Sequence, residues 1–246
     1  DFTGVPAVVD LAAMREAADT VGAMVVVDNT FATPYHQNPL VLGADLVVHS
    51  ATKALGGHND LMAGAITGSK EHYNRLWFTR QAIGTTLDAY SAFLLDRGLK
   101  TFELRAEAMA RGAQAIAEFL EEHPKVSRVS YPGLTSHPNH AVALRQMHRG
   151  FGGMIAFDVG QDEEHAKRFI AALQRIYHAV SLGATESLIC IPHLTTMLYL
   201  PPERRTTFGV RKNTVRLSVG IEPPDKLLAD LKQALACVAE GIATHE

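Results

Sequence analysis

The sequence is short of the features that mark secreted, membrane-spanning and nucleic-acid-binding proteins. Only two cysteines, Cys190 and Cys237, occur among 246 residues. Both have apolar neighbours, which indicates buried thiols rather than a disulfide and favours a reducing, cytoplasmic setting. No apolar run approaches the ~18–20 residues of a transmembrane helix, and no signal peptide is visible. With a formal net charge of -3, the chain shows no basic excess for nucleic acid or an anionic membrane.

Other site types are also poorly supported. Internal repeats and low-complexity segments are lacking. His137 and His140 lie close together, but Pro138 separates them and no third ligand is near, so we predict no metal site. The glycine-rich stretch 150–153 precedes a predicted strand rather than a helix, so we interpret it as a tight turn and not as a phosphate loop.

The composition, with 47% hydrophobic and 20% charged residues, is typical of a globular protein. The chain is long enough for one large or two modest domains. In the first half, predicted strands alternate with predicted helices and hairpin turn signals are absent, which favours a parallel sheet with helices on both faces. The predicted elements are strands 24–27, 45–48 and 63–67 and helices 11–21, 71–81, 87–97 and 101–121.

The second half is predicted to be a smaller α+β unit. The long helix at 101–121 is a suitable spine between the halves, and we place the boundary near Arg111, giving domains 1–110 and 111–246. A proline-rich link is expected at Pro201 and Pro202. The predicted elements are strands 126–130, 154–157, 188–191 and 214–219 and helices 141–147, 163–173 and 226–238.

Two strand ends in the first half carry side chains that could bind a ligand or take part in catalysis. Asp28 ends one apolar strand, and Ser50, Thr52 and Lys53 follow the next. An acid at the carboxyl end of a core strand faces the crevice where open α/β sheets bind ligands. A lysine held there is forced towards its neutral form, which can make a Schiff base. With an acid for a pyridine nitrogen and two hydroxyl groups for a phosphate, this arrangement suits pyridoxal phosphate.

These stretches resemble the Cys/Met-metabolism family of pyridoxal phosphate enzymes, which includes cystathionine γ-synthase, cystathionine lyases, methionine γ-lyase and homoserine sulfhydrylases. The resemblance extends from about Val8 to the C-terminal helix and includes 150–154, 179–183 and 215–222. It implies an α/β fold of type I, like aspartate aminotransferase. The large domain would contain a mostly parallel sheet, and the C-terminal domain would be smaller and α+β.

The resemblance also implies roles around the cofactor. Lys53 would hold the aldehyde and later shuttle protons on the substrate. Asp28 would keep the pyridine nitrogen protonated, and Thr30 would lie against the ring face. Ser50 and Thr52 would bind the phosphate.

On the substrate side, the resemblance assigns the α-carboxylate to Arg216 and Ser181. Arg216 lies on an otherwise apolar strand, and a buried arginine needs an anion. Family members that handle cystathionine tend to carry glutamate immediately before this serine, where the chain has Val180. We therefore favour a methionine γ-lyase-like elimination that releases thiol, 2-oxobutanoate and ammonia. Cystathionine γ-lyase, cystathionine γ-synthase and O-acetylhomoserine sulfhydrylase activities remain open alternatives.

Several departures from the family pattern favour a further alternative. Family members are longer, so the resemblance implies a missing N-terminal portion that would carry a ring-stacking tyrosine and residues lent to a neighbouring subunit. Residues 3–6 lack the family's Asn-Pro pair, and residues 191–197 replace its usual segment. The chain is thus either an enzyme, expected as a homotetramer built from dimers, or a partner-dependent or non-catalytic half of a split protein.

Overall fold

A computed structural model describes residues 5–238 of the chain. Its strands form two sheets, one of three strands in the order β1-β2-β3 and one of five in the order β4-β5-β8-β7-β6. The first sheet contains β1 (Val26–Asp28), β2 (Leu46–Ser50) and β3 (Gly64–Gly68). The second contains β4 (Val126–Ser130), β5 (Met154–Val159), β6 (Tyr177–His178), β7 (Leu188–Cys190) and β8 (Thr214–Ser218).

Four of the five helices in the first half match predicted ones, and the short helix Thr33–His36 was not predicted. Asp10 caps α1 by accepting a hydrogen bond from the Ala13 amide, at 3.2 Å, and Asp88 caps the fourth helix in the same way. Side-chain caps of this kind satisfy amides that have no partner within the helix. The helices are α1 (Leu11–Asp19), α2 (Thr33–His36), α3 (Lys70–Ile83), α4 (Ala89–Leu99) and α5 (Phe102–Glu121).

The first sheet is mixed rather than parallel throughout. β1 pairs with β2 in parallel, with Asp28 opposite Val48, but β3 runs antiparallel to β2. A parallel connection needs a crossover, usually a helix. Residues 51–63 form turns instead of a helix, so the chain returns antiparallel. The α/β class is confirmed, and the expected direction of this one strand was wrong.

The main core lies in the second half of the chain. β5 and β8 are buried along their whole length, and α5 covers them with Ala113, Ile116 and Leu120, each fully buried. Two further helices, α7 and α9, pack on the same cluster. The helices after α5 are α6 (His140–Gln146), α7 (Glu163–Ala172), α8 (Pro202–Thr207) and α9 (Pro224–Ala236), with a 3₁₀ turn at Pro192–Leu194.

The two cysteines differ in exposure, and only one of them is buried as expected. Cys190 is buried as expected, but Cys237 is exposed at the end of α9, where its thiol lies 3.5 Å from the Gln233 carbonyl oxygen. Residues 150–153 before β5 form an irregular loop with a bend at Gly153, rather than the tight turn that we expected, and Gly150 and Gly152 adopt positive φ. The domain boundary near Arg111 falls inside the continuous helix α5 and stays a prediction.

No helix between residues 5 and 238 is long and apolar enough to cross a membrane. In the same range, no group of three metal-ligating side chains is assembled. His137 is buried and bonds the Pro6 carbonyl oxygen at 3.1 Å, and His140 lies 2.7 Å from the Pro132 carbonyl oxygen. These two histidines therefore serve packing and turn structure.

Candidate active site

A cleft of about 420 Å³ opens beside the carboxyl ends of β1 and β2. It brings together parts of the chain that are more than 180 residues apart in sequence. Its lining residues are Asp28, Thr30, Phe31, Ser50, Lys53, Val180, Leu182, Thr196, Tyr199 and Arg216. Five of the seven predicted site residues are in that set, and the other two, Thr52 and Ser181, adjoin it in sequence.

The ends of β1 and β2 are joined by the hydroxyl group of Thr30. This hydroxyl donates to Asp28 Oδ1 at 2.6 Å and accepts from the Ser50 amide at 2.8 Å. The Thr30 amide also donates to Asp28 Oδ1, at 3.0 Å. One carboxylate oxygen of Asp28 is thus fixed, and the residue lines the cleft.

Lys53 lies in the turn that follows β2. Its Nζ donates to Ser181 Oγ at 3.0 Å, across a sequence separation of 128 residues. The side chain is half-buried, and burial lowers the pKa of Lys53, helped by the positive charge of Arg216. At a given pH, a larger fraction of Lys53 is therefore neutral than of an ordinary exposed lysine, as the sequence predicted.

Arg105 of α5 holds the Lys53 turn in place. Its guanidinium donates to the carbonyl oxygens of Ala54 at 2.8 Å and Leu55 at 3.3 Å, and to that of Gly98 at 2.7 Å. Gly57, at φ +78°, packs so closely that an added Cβ would lie 1.9 Å from Arg105 Nη1. The available sequence signal was an arginine on the same helical face as Phe102, and we missed it.

Ser50 and Thr52 differ in how free their hydroxyl groups are. Ser50 lines the cleft. The Thr52 hydroxyl instead donates to the Ala63 carbonyl oxygen at 3.3 Å and accepts from the Ala63 amide at 2.9 Å. Thr52 does not line the cleft, so its phosphate role remains a prediction that requires its hydroxyl to exchange a backbone partner.

Arg216 enters the cleft from β8 and is only 5% exposed. Its Nη2 donates to the Val180 carbonyl oxygen and, at 3.5 Å, to that of Ser181. Among the residues that the structure describes, none supplies it with a carboxylate partner. A buried guanidinium with free donors and no counter-charge is suited to an anionic ligand.

The loop that carries Ser181 packs directly on the Lys53 turn. Gly183 adopts φ +73°, and a Cβ there would lie 2.6 Å from the Ala54 amide nitrogen. The Gly183 amide donates to Ser218 Oγ at 2.9 Å, which ties the loop to β8. This close approach explains how Ser181 reaches Lys53.

Residues 5–236 match the family described as Cys/Met metabolism PLP-dependent enzyme. The chain belongs to this family. Enzymes of the family depend on pyridoxal phosphate, and the donors of the cleft fit that cofactor. The cleft offers a half-buried amine for the aldehyde, a carboxylate for the ring nitrogen and a hydroxyl group for the phosphate.

Relatives with different activities match the chain almost equally well. It is 47% identical over 229 residues to cystathionine gamma-lyase of Bacillus subtilis (strain 168), covering 93% of this chain and 60% of the relative. It is 46% identical over 232 residues to L-methionine gamma-lyase of Pseudomonas putida, covering 94% of this chain and 58% of that protein.

The fold matches solved structures of the family. The crystal structure of cystathionine gamma synthase from Xanthomonas oryzae pv. oryzae in complex with aminoacrylate and cysteine superposes with a TM-score of 0.91 at 41% identity. The match covers 94% of this chain and 60% of that one. The chain therefore spans about three fifths of the length of the relatives it matches.

Proposed function

We propose that the chain forms the cofactor- and carboxylate-binding part of a pyridoxal phosphate enzyme that acts at the γ-carbon of sulfur amino acids. The observation that carries this proposal is the single cleft that contains Lys53, Asp28 and Arg216. The best-supported reaction is elimination of a thiol from methionine, with 2-oxobutanoate and ammonia as the other products.

In this proposal, each strand end holds one part of the cofactor. Lys53 binds the aldehyde, Asp28 faces the ring nitrogen, and Thr30 fixes Asp28 while lying near the ring. Ser50 and Thr52 bind the phosphate, Thr52 after releasing Ala63. When bound, pyridoxal phosphate supplies an electron sink for the pair left at the substrate Cα.

The proton transfers fall to Lys53. Once the substrate amine has displaced it, Lys53 Nζ would take the Cα proton and pass it to the bound cofactor, which leaves the amine neutral again. It would then take a Cβ proton and deliver it to the thiolate that leaves from Cγ. The lowered pKa of Lys53 supports this role, because only the neutral amine can accept a proton. Arg216 and Ser181 hold the α-carboxylate, so that Cα stays beside Nζ.

Val180 supports methionine over cystathionine as the substrate. It lines the cleft and is 53% exposed. An apolar side chain there offers nothing to the distal ammonium group of cystathionine and tolerates a methyl thioether. Cystathionine γ-lyase, cystathionine γ-synthase and O-acetylhomoserine sulfhydrylase activities are the alternatives, since relatives of the first two kinds are 47% and 44% identical to the chain, close to the 46% of the methionine gamma-lyase.

The absorption spectrum of the purified protein with added pyridoxal phosphate tests the proposal. A band near ~420 nm that is lost in Lys53→Ala supports it. Release of keto acid from methionine, cystathionine and O-acetylhomoserine is then compared. Faster cleavage of cystathionine than of methionine would contradict the role given to Val180.

A second candidate is a partner-dependent or non-catalytic half of a split protein. It is favoured by α3, in which no described side chain is buried. Under this reading the chain binds pyridoxal phosphate weakly alone and tightly with a polypeptide corresponding to the uncovered part of the relatives. Full keto-acid release by the chain alone would exclude it.

A further inference from the structure

Residues 29–37, which we call the Thr33 segment, follow β1 directly and include α2. Thr30 and Phe31 of this segment line the cleft, and the Thr30 hydroxyl binds Asp28. The positions of these side chains beside the proposed cofactor therefore depend on what fixes the backbone of the segment.

Thr33 has an unfavourable backbone conformation, with φ +64°. A β-branched residue at positive φ is crowded by its own backbone, and the following Pro34 restricts Thr33 further. Among the described residues, the other two non-glycine residues at positive φ are Asn59 and Arg149, and neither is β-branched. Strain of this kind persists only where the surrounding structure holds it, and it is often found at functional sites.

Two buried side-chain amides join the ends of the Thr33 segment. Asn29 Nδ2 donates to the Gln37 carbonyl oxygen at 3.0 Å, and Gln37 Nε2 donates to Asn29 Oδ1, also at 3.0 Å. Asn29 is only 1% exposed and Gln37 8%, so water competes little for these two hydrogen bonds. This amide pair closes the segment on itself, with Thr33 between the two partners.

Gln146 of α6 supports the amide pair from the second half of the chain. Its Nε2 donates to Gln37 Oε1 at 3.0 Å and to the Val9 carbonyl oxygen at 2.8 Å, and its Oε1 accepts from the Leu11 amide at 3.3 Å. Gln37 also forms an antiparallel bridge with Met147. Gln146 does not line the cleft, so it can act on a ligand there only through other residues.

We propose that Asn29, Gln37 and Gln146 are positioning residues for the cofactor. They hold the strained Thr33 segment in the conformation that places Thr30 beside the cofactor ring. The inference rests on the proposed function. Without the amide pair, Thr33 would relax towards negative φ, and the backbone before it would move. Thr30 would then lose its contacts with both strand ends, and cofactor binding would weaken.

Gln37→Met tests the amide pair, because it keeps the length of the side chain and removes the amide donor and acceptor. We expect the affinity for pyridoxal phosphate, measured from the ~420 nm band, to fall about tenfold, as when backbone strain is released. In the cofactor-free protein, amide hydrogen exchange of residues 29–37 should become faster, because the segment opens more often. Wild-type affinity and wild-type exchange in Gln37→Met would overturn the inference.

Gln233→Met is the matched control. Gln233 Nε2 donates to the Ala172 carbonyl oxygen at 2.7 Å and to Asp230 Oδ1 at 3.0 Å, and Gln233 does not line the cleft. This variant should also lose stability in urea, but its cofactor affinity and the exchange of residues 29–37 should not change. Equal loss of cofactor affinity in Gln37→Met and Gln233→Met would mean that only general destabilisation is observed, which would overturn the inference.

Gln146→Met tests the support from α6. It should weaken cofactor binding less than Gln37→Met does, because the amide pair itself remains. A larger loss of cofactor affinity in Gln146→Met than in Gln37→Met would contradict the supporting role of Gln146.

Thr33→Gly separates positioning from stability. Glycine adopts positive φ without strain, so adding Thr33→Gly to Gln37→Met should recover most of the lost cofactor affinity. The double variant should remain less stable in urea than the wild type, because the hydrogen bonds of Gln37 stay lost. Stability without recovery of affinity, or no recovery of either, would overturn the role given to the strain.

The two proposals fail in different ways. A wild-type protein without the ~420 nm band would contradict the proposed function. The hydrogen exchange of residues 29–37 in the cofactor-free variants would still decide whether the amide pair holds the Thr33 segment.

Discussion

At the scale of single residues, Thr30 connects the two strand ends on which the proposed chemistry depends. Its hydroxyl accepts from the Ser50 amide and donates to Asp28 Oδ1. The family resemblance implies that Thr30 lies against the cofactor ring, and the structure adds a link between the acid on β1 and the end of β2. Fixing the acid before the cofactor arrives lowers the entropy lost on binding.

We expect Thr30→Val to weaken pyridoxal phosphate binding and to destabilise the protein by about 1–2 kcal/mol, because the Ser50 amide loses its acceptor. Thr30→Ser keeps the hydroxyl and should behave as the wild type. The measurements are cofactor titration by absorbance and the free energy of urea unfolding. Wild-type cofactor affinity in Thr30→Val would show that the bridge is dispensable.

The pKa of Lys53 gives a prediction with a definite sign. Burial and the nearby Arg216 charge lower this pKa, so the amine becomes neutral at lower pH than in the unfolded chain. Labelling of Lys53 by an amine-selective reagent, followed by peptide mass spectrometry, should therefore reach half its maximum at lower pH in the folded protein than in urea.

The contribution of Arg216 can be separated by substitution. Arg216→Met removes a positive charge and should move the midpoint of Lys53 labelling to higher pH, whereas Arg216→Lys should move it little. Identical labelling midpoints in the folded and unfolded protein would contradict this account of Lys53.

At the scale of secondary-structure elements, α5 links the main core to the Lys53 turn. Its apolar face covers β5, and Arg105 on the same helix binds carbonyl oxygens on the turn. The packing of α5 on the core therefore helps to set the position of the Lys53 turn. A shift of α5 along its axis would move the backbone that carries Lys53.

Arg105→Met should destabilise the protein by about 2–4 kcal/mol, because three backbone carbonyl oxygens lose their donor. A fall in Tm of several degrees is expected for a chain of this size. Arg111→Met lies on an exposed position of the same helix and is the matched control. Equal Tm values for the two variants would rule out the proposed support by Arg105.

Local sequence patterns predicted most helices and strands. They failed where a distant contact sets the direction of a strand or where a helix begins at a proline. Helix α5 was predicted over its full length because residues 101–121 are rich in Ala, Glu and Arg, which favour helices. The direction of β3 depends on the Lys53 turn taking the place of a crossover helix. Helix α8 begins at Pro202, where we expected a link, although proline is favoured at a first helical position.

The same limit applies to the site. Asp28 and Lys53 were found because an acid and an amine at strand ends are unusual residue types in those places. Arg105 binds Ala54, which lies 51 positions away in sequence. Thr196 lines a cleft that distant segments of the chain form together. Contacts of that kind leave no trace in local spacing.

At the scale of the whole molecule, two consecutive helices expose large apolar side chains. Helix α3 has no buried side chain among those described and exposes Trp77, Phe78 and Ile83, and α4 exposes Tyr90 and Phe93. Exposed apolar patches of this kind mark association surfaces. The surface agrees with the expected homo-oligomer and equally with a partner polypeptide.

We expect the purified chain to self-associate at micromolar concentration through this surface. Light scattering should give a mass well above the 26.7 kDa of one chain, and Trp77, the only tryptophan, should become more accessible to iodide on dilution. Phe78→Ser with Phe93→Ser should lower the measured mass. A monomer at all concentrations would contradict self-association.

The central claim is that Lys53 is the amine that holds pyridoxal phosphate. The most direct test is borohydride reduction of the protein incubated with pyridoxal phosphate, followed by peptide mass spectrometry. The account predicts a phosphopyridoxyl group on Lys53 at full occupancy, greatly reduced in Asp28→Ala. A label spread over exposed lysines, or concentrated on a lysine outside the cleft, would contradict it.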